Sequence, residues 1–167
     1  MSRDGENENM KHRHAVSEEG HLEAMQWLRT QGADVNVTDN NGVTPMSYAA
    51  RYFHYEVMQW LHSQGASVNV RDDNGMPPVH CAALHGNVEA MQWLKEQGAD
   101  VNVKNDSGRT TMHMAVLQGS LDSMQWLKEQ GVVIDAKDNK GNTPLSEAIR
   151  VNRTQAIEWL KANGAVE

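Results

Sequence analysis

The chain has 167 residues, enough for one domain or one continuous array of repeats with a sizeable apolar core. Its 15 Lys and Arg against 22 Asp and Glu give a formal net charge of −7, which argues against binding to nucleic acid or to an anionic membrane surface. The single cysteine, Cys81, excludes an internal disulfide, and the N-terminus lacks an apolar signal region, so we expect a cytoplasmic protein, with the nucleus as the alternative location.

Three residue types recur along the chain with one fixed period. The tryptophans are Trp27, Trp60, Trp93, Trp126 and Trp159, and each lies 33 residues after the one before. The glycines Gly32, Gly65, Gly98, Gly131 and Gly164 keep the same spacing, as do the leucines that follow the tryptophans. Such a period predicts a solenoid, in which each unit buries its apolar face only against its neighbours.

The first copy of the period departs from the others. Where the second copy has Thr44-Pro45-Met46-Ser47, the first has Lys11-His12-Arg13-His14, and Asn9 replaces the turn glycine. Because a terminal unit needs a polar outer face, we interpret this copy as an N-terminal cap. Residues 1–8 are predicted to be a disordered tail, and residues 9–167 to form one domain of about five repeats.

The third copy shows the structure of one unit most clearly. Asn74-Gly75 predicts a tight turn, and Pro78 is suited to the first position of a helix that ends near Gly86. A second helix is expected from about Val88 to Gln97, closed by Gly98. A short extended arm, residues 101–103, then leads to the next turn.

This unit resembles the ankyrin repeat in its period and in its Thr-Pro-Leu-His-x-Ala signature. The matching stretches are Thr44-Pro45-Met46-Ser47-Tyr48-Ala49, Pro77-Pro78-Val79-His80-Cys81-Ala82, Thr110-Thr111-Met112-His113-Met114-Ala115 and Thr143-Pro144-Leu145-Ser146-Glu147-Ala148. The chain departs from the signature at Pro77, which replaces the capping threonine, and at Thr111, which replaces the proline. The resemblance implies an all-α solenoid of stacked helix-turn-helix units with short β-turn arms.

The last copy carries many polar residues, among them Glu147, Arg150, Arg153 and Lys161, and is interpreted as the C-terminal cap. A complete protein of five repeats and a piece of a longer one both fit this pattern. The resemblance further implies a non-catalytic, monomeric module that binds another protein, without a cofactor, nucleic acid or membrane.

The resemblance also suggests where a partner would bind. In ankyrin proteins the turn tips and the outward end of the first helix form the concave binding face, and these positions vary between the copies of this chain. The predicted partner-binding residues are Tyr52, Met76, Leu84, His85, Arg109 and Leu117. Four of them are large and apolar and lie in adjacent copies, so they are expected to form one patch. Leu84 and Leu117, at the outward ends of their helices, are not expected to be needed for stacking of the repeats. The tryptophan column is the alternative binding face, although covering the seams between repeats is its simpler role.

Candidates for chemistry are few. Cys81 has His80 beside it and His85 one helical turn away, an arrangement that suits a nucleophile less well than a structural role. His12, His14 and His21 lack the further ligands of a tetrahedral metal site, so no metal is predicted.

A second function follows from the resemblance alone. Ankyrin proteins can be hydroxylated at the asparagine of the extended arm by an asparaginyl hydroxylase. Asn36, Asn69 and Asn102 hold that position, each eight residues after a leucine, and Asp135 is the fourth equivalent. Such a substrate, or a regulatory piece of a larger ankyrin protein, is the alternative to a binding module.

Overall fold

The computed structural model describes residues 22–166. Within this range the chain forms a row of helices, of which α1 spans residues 22–30. The others are α2 Pro45–Arg51, α3 Tyr55–Ser63, α4 Pro78–Leu84, α5 Val88–Glu96, α6 Thr111–Gln118, α7 Leu121–Glu129, α8 Pro144–Arg150 and α9 Thr154–Ala162. The four complete pairs, α2 to α9, confirm the predicted helical solenoid. The predicted tail and the first helix of the first copy lie outside the described residues.

Local sequence signals determine where the first helices begin. Proline occupies the first turn of α2, α4 and α8, where its missing N–H costs no hydrogen bond. The hydroxyls of Thr44 and Thr143 accept from the amide three residues later, which satisfies one of the free N–H groups at the helix start. The N-cap of α6 is Thr110, which forms a capping box with His113.

The helices lie in two layers. The first helices of successive units, α2, α4, α6 and α8, pack side by side, and each second helix packs against the first helix of its own unit. The apolar core runs continuously between the layers, and Leu61, Leu94, Leu127 and Leu160 in the second helices are fully buried. The described residues contain one isolated β-bridge, between Lys104 and Thr110, as expected for turn arms rather than a sheet.

Candidate partner-binding surface

The turns between units owe their shape to one side chain in each copy. Asp39, Asp72, Asn105 and Asp138 are spaced by 33 residues, and the Oδ1 atom of each accepts from the amides two and four residues later at 2.8–3.0 Å. These bonds fix the backbone of the turn tip. This column was not predicted from the sequence, although its 33-residue period is visible there.

Hydrogen bonds between neighbouring copies join the tips into one row. The amides of Asp73, Asp106 and Asn139 donate to a turn carbonyl of the preceding copy at 2.9–3.1 Å. Gly75 has a φ of 74°, and a Cβ atom there would lie 2.8 Å from the backbone nitrogen of Asp106, so only glycine fits. We call this row of tips, together with the C-terminal ends of α2, α4, α6 and α8, the concave surface.

The six predicted residues differ in how far they are available to a partner. Tyr52 is 50% exposed, whereas Met76, Leu84 and Leu117 are half-buried and pack against the core. The expectation that Leu84 and Leu117 take no part in the packing of the repeats was therefore wrong. Each of these two leucines lies in the last turn of its helix, where its side chain is partly exposed and partly packed against the core. His85 and Arg109 are also half-buried.

A network of ion pairs holds Arg109 in place. Its Nη2 donates to Oε1 of Glu147 at 3.0 Å, and Arg150 binds the same carboxylate at 2.7 Å. The carboxylate of Glu147 is buried, and its hydrogen bond with Arg150 is the largest of the effects that lower its pKa. Arg109 therefore links the fourth copy to the fifth, a role that its position in the repeat did not predict.

The second copy presents an aromatic cluster on the concave surface. The Tyr48 and Tyr52 rings are stacked, with centroids 6.3 Å apart, and the Tyr52 ring lies 6.2 Å from the His85 imidazole. The Arg51 guanidinium lies 5.9 Å from the Tyr52 centroid. Burial, and after it the positive charge of Arg51, lowers the pKa of His85. The structure thus brings Tyr52 and His85 together, with Arg51 beside them.

An open, apolar cavity of about 400 Å³ adjoins this cluster. Its lining residues are Met25, Pro45, Tyr48, Ala49, Tyr52, His54 and Val57. The cavity therefore extends the aromatic surface of the second copy towards α1.

The tryptophan column lies on the other side of the solenoid. Trp93 and Trp126 are 7% and 9% exposed, and the Trp93 ring meets Tyr55 and His62 of the preceding copy edge-on. The Trp93 ring therefore covers the seam between the second and third units. Trp27 belongs to the first copy and is 62% exposed. The burial of the interior rings favours packing over a binding role.

The residues considered for nucleophilic or metal chemistry are Cys81, its neighbour His80 and three N-terminal histidines. Cys81 is buried, and burial raises the pKa of its thiol to about 11, which leaves little thiolate at neutral pH. His80 is fully buried and its Nε2 bonds the Val103 carbonyl, so neither group suits a nucleophilic site. Within residues 22–166 no three His, Cys, Asp or Glu side chains come together as metal ligands. His12, His14 and His21 lie outside the described residues.

The three arm asparagines have different environments. Asn69 and Asn102 are exposed, whereas Asn36 is half-buried and its Oδ1 accepts from the Ser67 amide at 3.0 Å. The arms therefore present two of the three predicted hydroxylation positions to solvent. In the described part of the chain, no helix is long and apolar enough to span a bilayer.

Comparison with known proteins agrees with this architecture. The family model for ankyrin repeats (3 copies) matches residues 13–105 and 97–166. The chain therefore belongs to the ankyrin repeat family, whose members are generally protein–protein interaction modules and typically non-catalytic. A search of curated proteins gave no match.

Proposed function

We propose that this chain is a non-catalytic module that binds a partner protein through its concave surface. The observation that carries the proposal is the aromatic cluster of Tyr48 and Tyr52, 40% and 50% exposed, beside an apolar cavity. Exposed aromatic side chains that are fixed by stacking lose little conformational freedom on binding, which is why tyrosine is frequent at interface hot spots. The half-buried Met76, Leu84, His85 and Leu117 and the fixed Arg109 would extend this surface along the row of repeats.

Partner binding is tested with three variants, after the partner has been captured and identified. Tyr52→Ala should weaken binding at least tenfold and leave the melting temperature nearly unchanged, because its ring is half exposed. Leu84→Ala combined with Leu117→Ala should weaken binding at least a hundredfold, but it should also lower stability, because both side chains pack against the core. Its binding is therefore compared only at a temperature at which circular dichroism shows it folded.

The control changes the opposite side of the solenoid. Lys95→Ala with Lys128→Ala removes two exposed side chains of the second helices, which bond Gln130 and Asn163 of the following copy. Titration calorimetry should give this variant the wild-type affinity. Loss of binding here, with retention by Tyr52→Ala, would place the site on the tryptophan side and contradict the proposal.

The proposal includes a cytoplasmic or nuclear location, where a free, buried Cys81 would stay reduced. A fluorescent fusion observed in cells tests this location, and secretion of the fusion would contradict it.

Hydroxylation is a second candidate function, supported by the exposure of Asn69 and Asn102 on the arms. Mass spectrometry after incubation with an asparaginyl hydroxylase should show an added oxygen on these two residues before Asn36, whose Oδ1 is engaged. An unmodified chain under conditions that modify a known substrate would rule this function out.

A further inference from the structure

Arg51 is a cation without a counter-ion in the described part of the chain. Its equivalent in the fifth copy, Arg150, donates two hydrogen bonds to Glu147, at 2.7 and 3.0 Å. In the second copy the residue in the column of Glu147 is Tyr48, and Arg51 forms no ion pair among residues 22–166. Among the described residues, the same surface position thus has a counter-ion in the fifth copy and none in the second.

The surroundings of Arg51 also leave one of its donors unsatisfied. Its Nε is buried and has no acceptor among the described residues. The helix dipole places about half of a negative charge at the C-terminus of α2. This is not enough to neutralise the full positive charge of Arg51. A buried donor without an acceptor is costly, and a bond to a charged acceptor is stronger than a neutral one. Because Nε is buried, an incoming carboxylate would bind the outer nitrogens of the guanidinium, and it would gain more there than at a fully solvated arginine because Arg51 is half-buried.

The neighbours of Arg51 suit recognition of a carboxylate beside an apolar group. The guanidinium lies near the Tyr52 ring, which is half exposed, and the next copy places Leu84 in the column of Arg51. A guanidinium held near an aromatic ring can offer its planar edge to both oxygens of a carboxylate. The tyrosine and the leucine provide apolar contacts next to that position.

We propose that Arg51 binds a carboxylate of the partner protein, from an acidic side chain flanked by an apolar residue that contacts Tyr52 and Leu84. This inference rests on the proposed function and specifies its partner: an acidic and apolar segment docks at the second and third copies. The charge complementarity is local, because it arises from Arg51 itself and not from the net charge of the chain, which is −7.

The test uses random 12-residue peptides displayed on phage and selected on the whole chain. Selected peptides that compete with one another bind one site. If this site is the concave surface, their sequences should be enriched in Asp or Glu next to an apolar residue. The best peptide and its Glu→Gln (or Asp→Asn) counterpart are then titrated against wild type and against Arg51→Leu, since leucine occupies this column in the third and fourth copies. We expect the amide counterpart to bind wild type at least tenfold more weakly and the two peptides to bind Arg51→Leu equally. The matched control is Arg29→Leu, which removes the same charge from an exposed residue of α1 and should preserve the tenfold difference.

Other results would overturn the inference. A tenfold difference that persists in Arg51→Leu would assign the carboxylate to another cation. In the first copy, Glu18 and Glu19 occupy the columns of Arg51 and Tyr52, so tighter peptide binding after Glu18→Gln with Glu19→Gln would assign Arg51 to a carboxylate of its own chain. Selected peptides whose binding is lost in Tyr52→Ala, but which show no preference for Asp or Glu, would refute the role of Arg51 and leave the proposed function intact. Peptides that are insensitive to both Tyr52→Ala and Arg51→Leu would contradict the proposed function itself.

Discussion

Replacing Pro77 with threonine should stabilise the third repeat, because it restores two hydrogen bonds that the fourth repeat forms. In the fourth repeat the Thr110 amide donates to Nδ1 of His113 at 3.2 Å, and the Thr110 hydroxyl lies 3.0 Å from the same atom. In the third repeat Pro77 has neither group, so Nδ1 of the fully buried His80 has no partner in the described part of the chain. The sequence predicts the loss of a capping hydroxyl at Pro77, and the structure shows in addition that the imidazole of His80 is unsatisfied.

The backbone at residue 77 is already suited to threonine. Pro77 has φ −78° and ψ 169°, close to the −92° and 171° of Thr110. An N-cap hydroxyl contributes about 1 kcal/mol, and pairing a buried acceptor contributes about 1 kcal/mol or more. Removing a compatible proline costs about 0.4–1 kcal/mol through the unfolded chain. The net gain is about 1 kcal/mol, or an increase of about 2–4 °C in the melting temperature for a chain of this size.

Denaturation by urea, followed by tryptophan fluorescence, measures this gain, and Pro77→Ala is the matched control. Alanine supplies the N–H group but not the hydroxyl, so its stability should lie near that of wild type and below that of Pro77→Thr. A Pro77→Thr variant no more stable than Pro77→Ala would refute the reasoning, because it would show that the hydroxyl makes no net contribution at this cap.

Three further predictions concern stability. Trp93→Ala should lower the free energy of unfolding by about 3 kcal/mol and Trp27→Ala by much less, because Trp93 is 7% and Trp27 62% exposed; equal losses in urea titrations would contradict the packing role of the column. Phe53→Gly should stabilise the chain by about 0.5–1 kcal/mol, since Phe53 has a φ of 64° where glycine stands in the next two copies; a lower melting temperature would show that the exposed ring makes contacts that outweigh the strain. Burial lowers the pKa of His80 from 6.5 to about 4, so the unfolded state binds a proton that the folded state excludes. Stability should therefore fall as the pH drops from 6.5 to about 4, by up to about 3 kcal/mol, and a His80→Ser variant with an equally steep decline would contradict this origin.

The fold was predictable from the sequence because its determinants repeat. The second to fifth units each bury the same leucine, so a column such as Leu61 and Leu94 indicates burial without any knowledge of three-dimensional contacts. The properties of the binding surface depend instead on departures from the repeat. Arg51 and Arg150 share a column, yet within residues 22–166 only Arg150 of these two forms an ion pair, because Glu147 stands where the second copy has a tyrosine.

The partial burial of Leu84 and Leu117 could not be predicted for a related reason. The last turn of a first helix lies at the boundary between core and surface, and how far its side chain is covered depends on the geometry of the adjacent layer. A sequence pattern assigns a residue to a face of the helix, but it does not show how far the neighbouring side chains cover that residue.

The most direct test of partner binding through the concave surface is an amide NMR titration of the isotopically labelled chain with its partner or with a selected peptide. The account predicts the largest shifts at Arg51, Tyr52 and His85 and along the turn tips, with small shifts near Lys95 and Lys128 on the second helices. Shifts concentrated at Trp60, Trp93 and the lysines beside the tryptophan column, with the aromatic cluster unchanged, would contradict it.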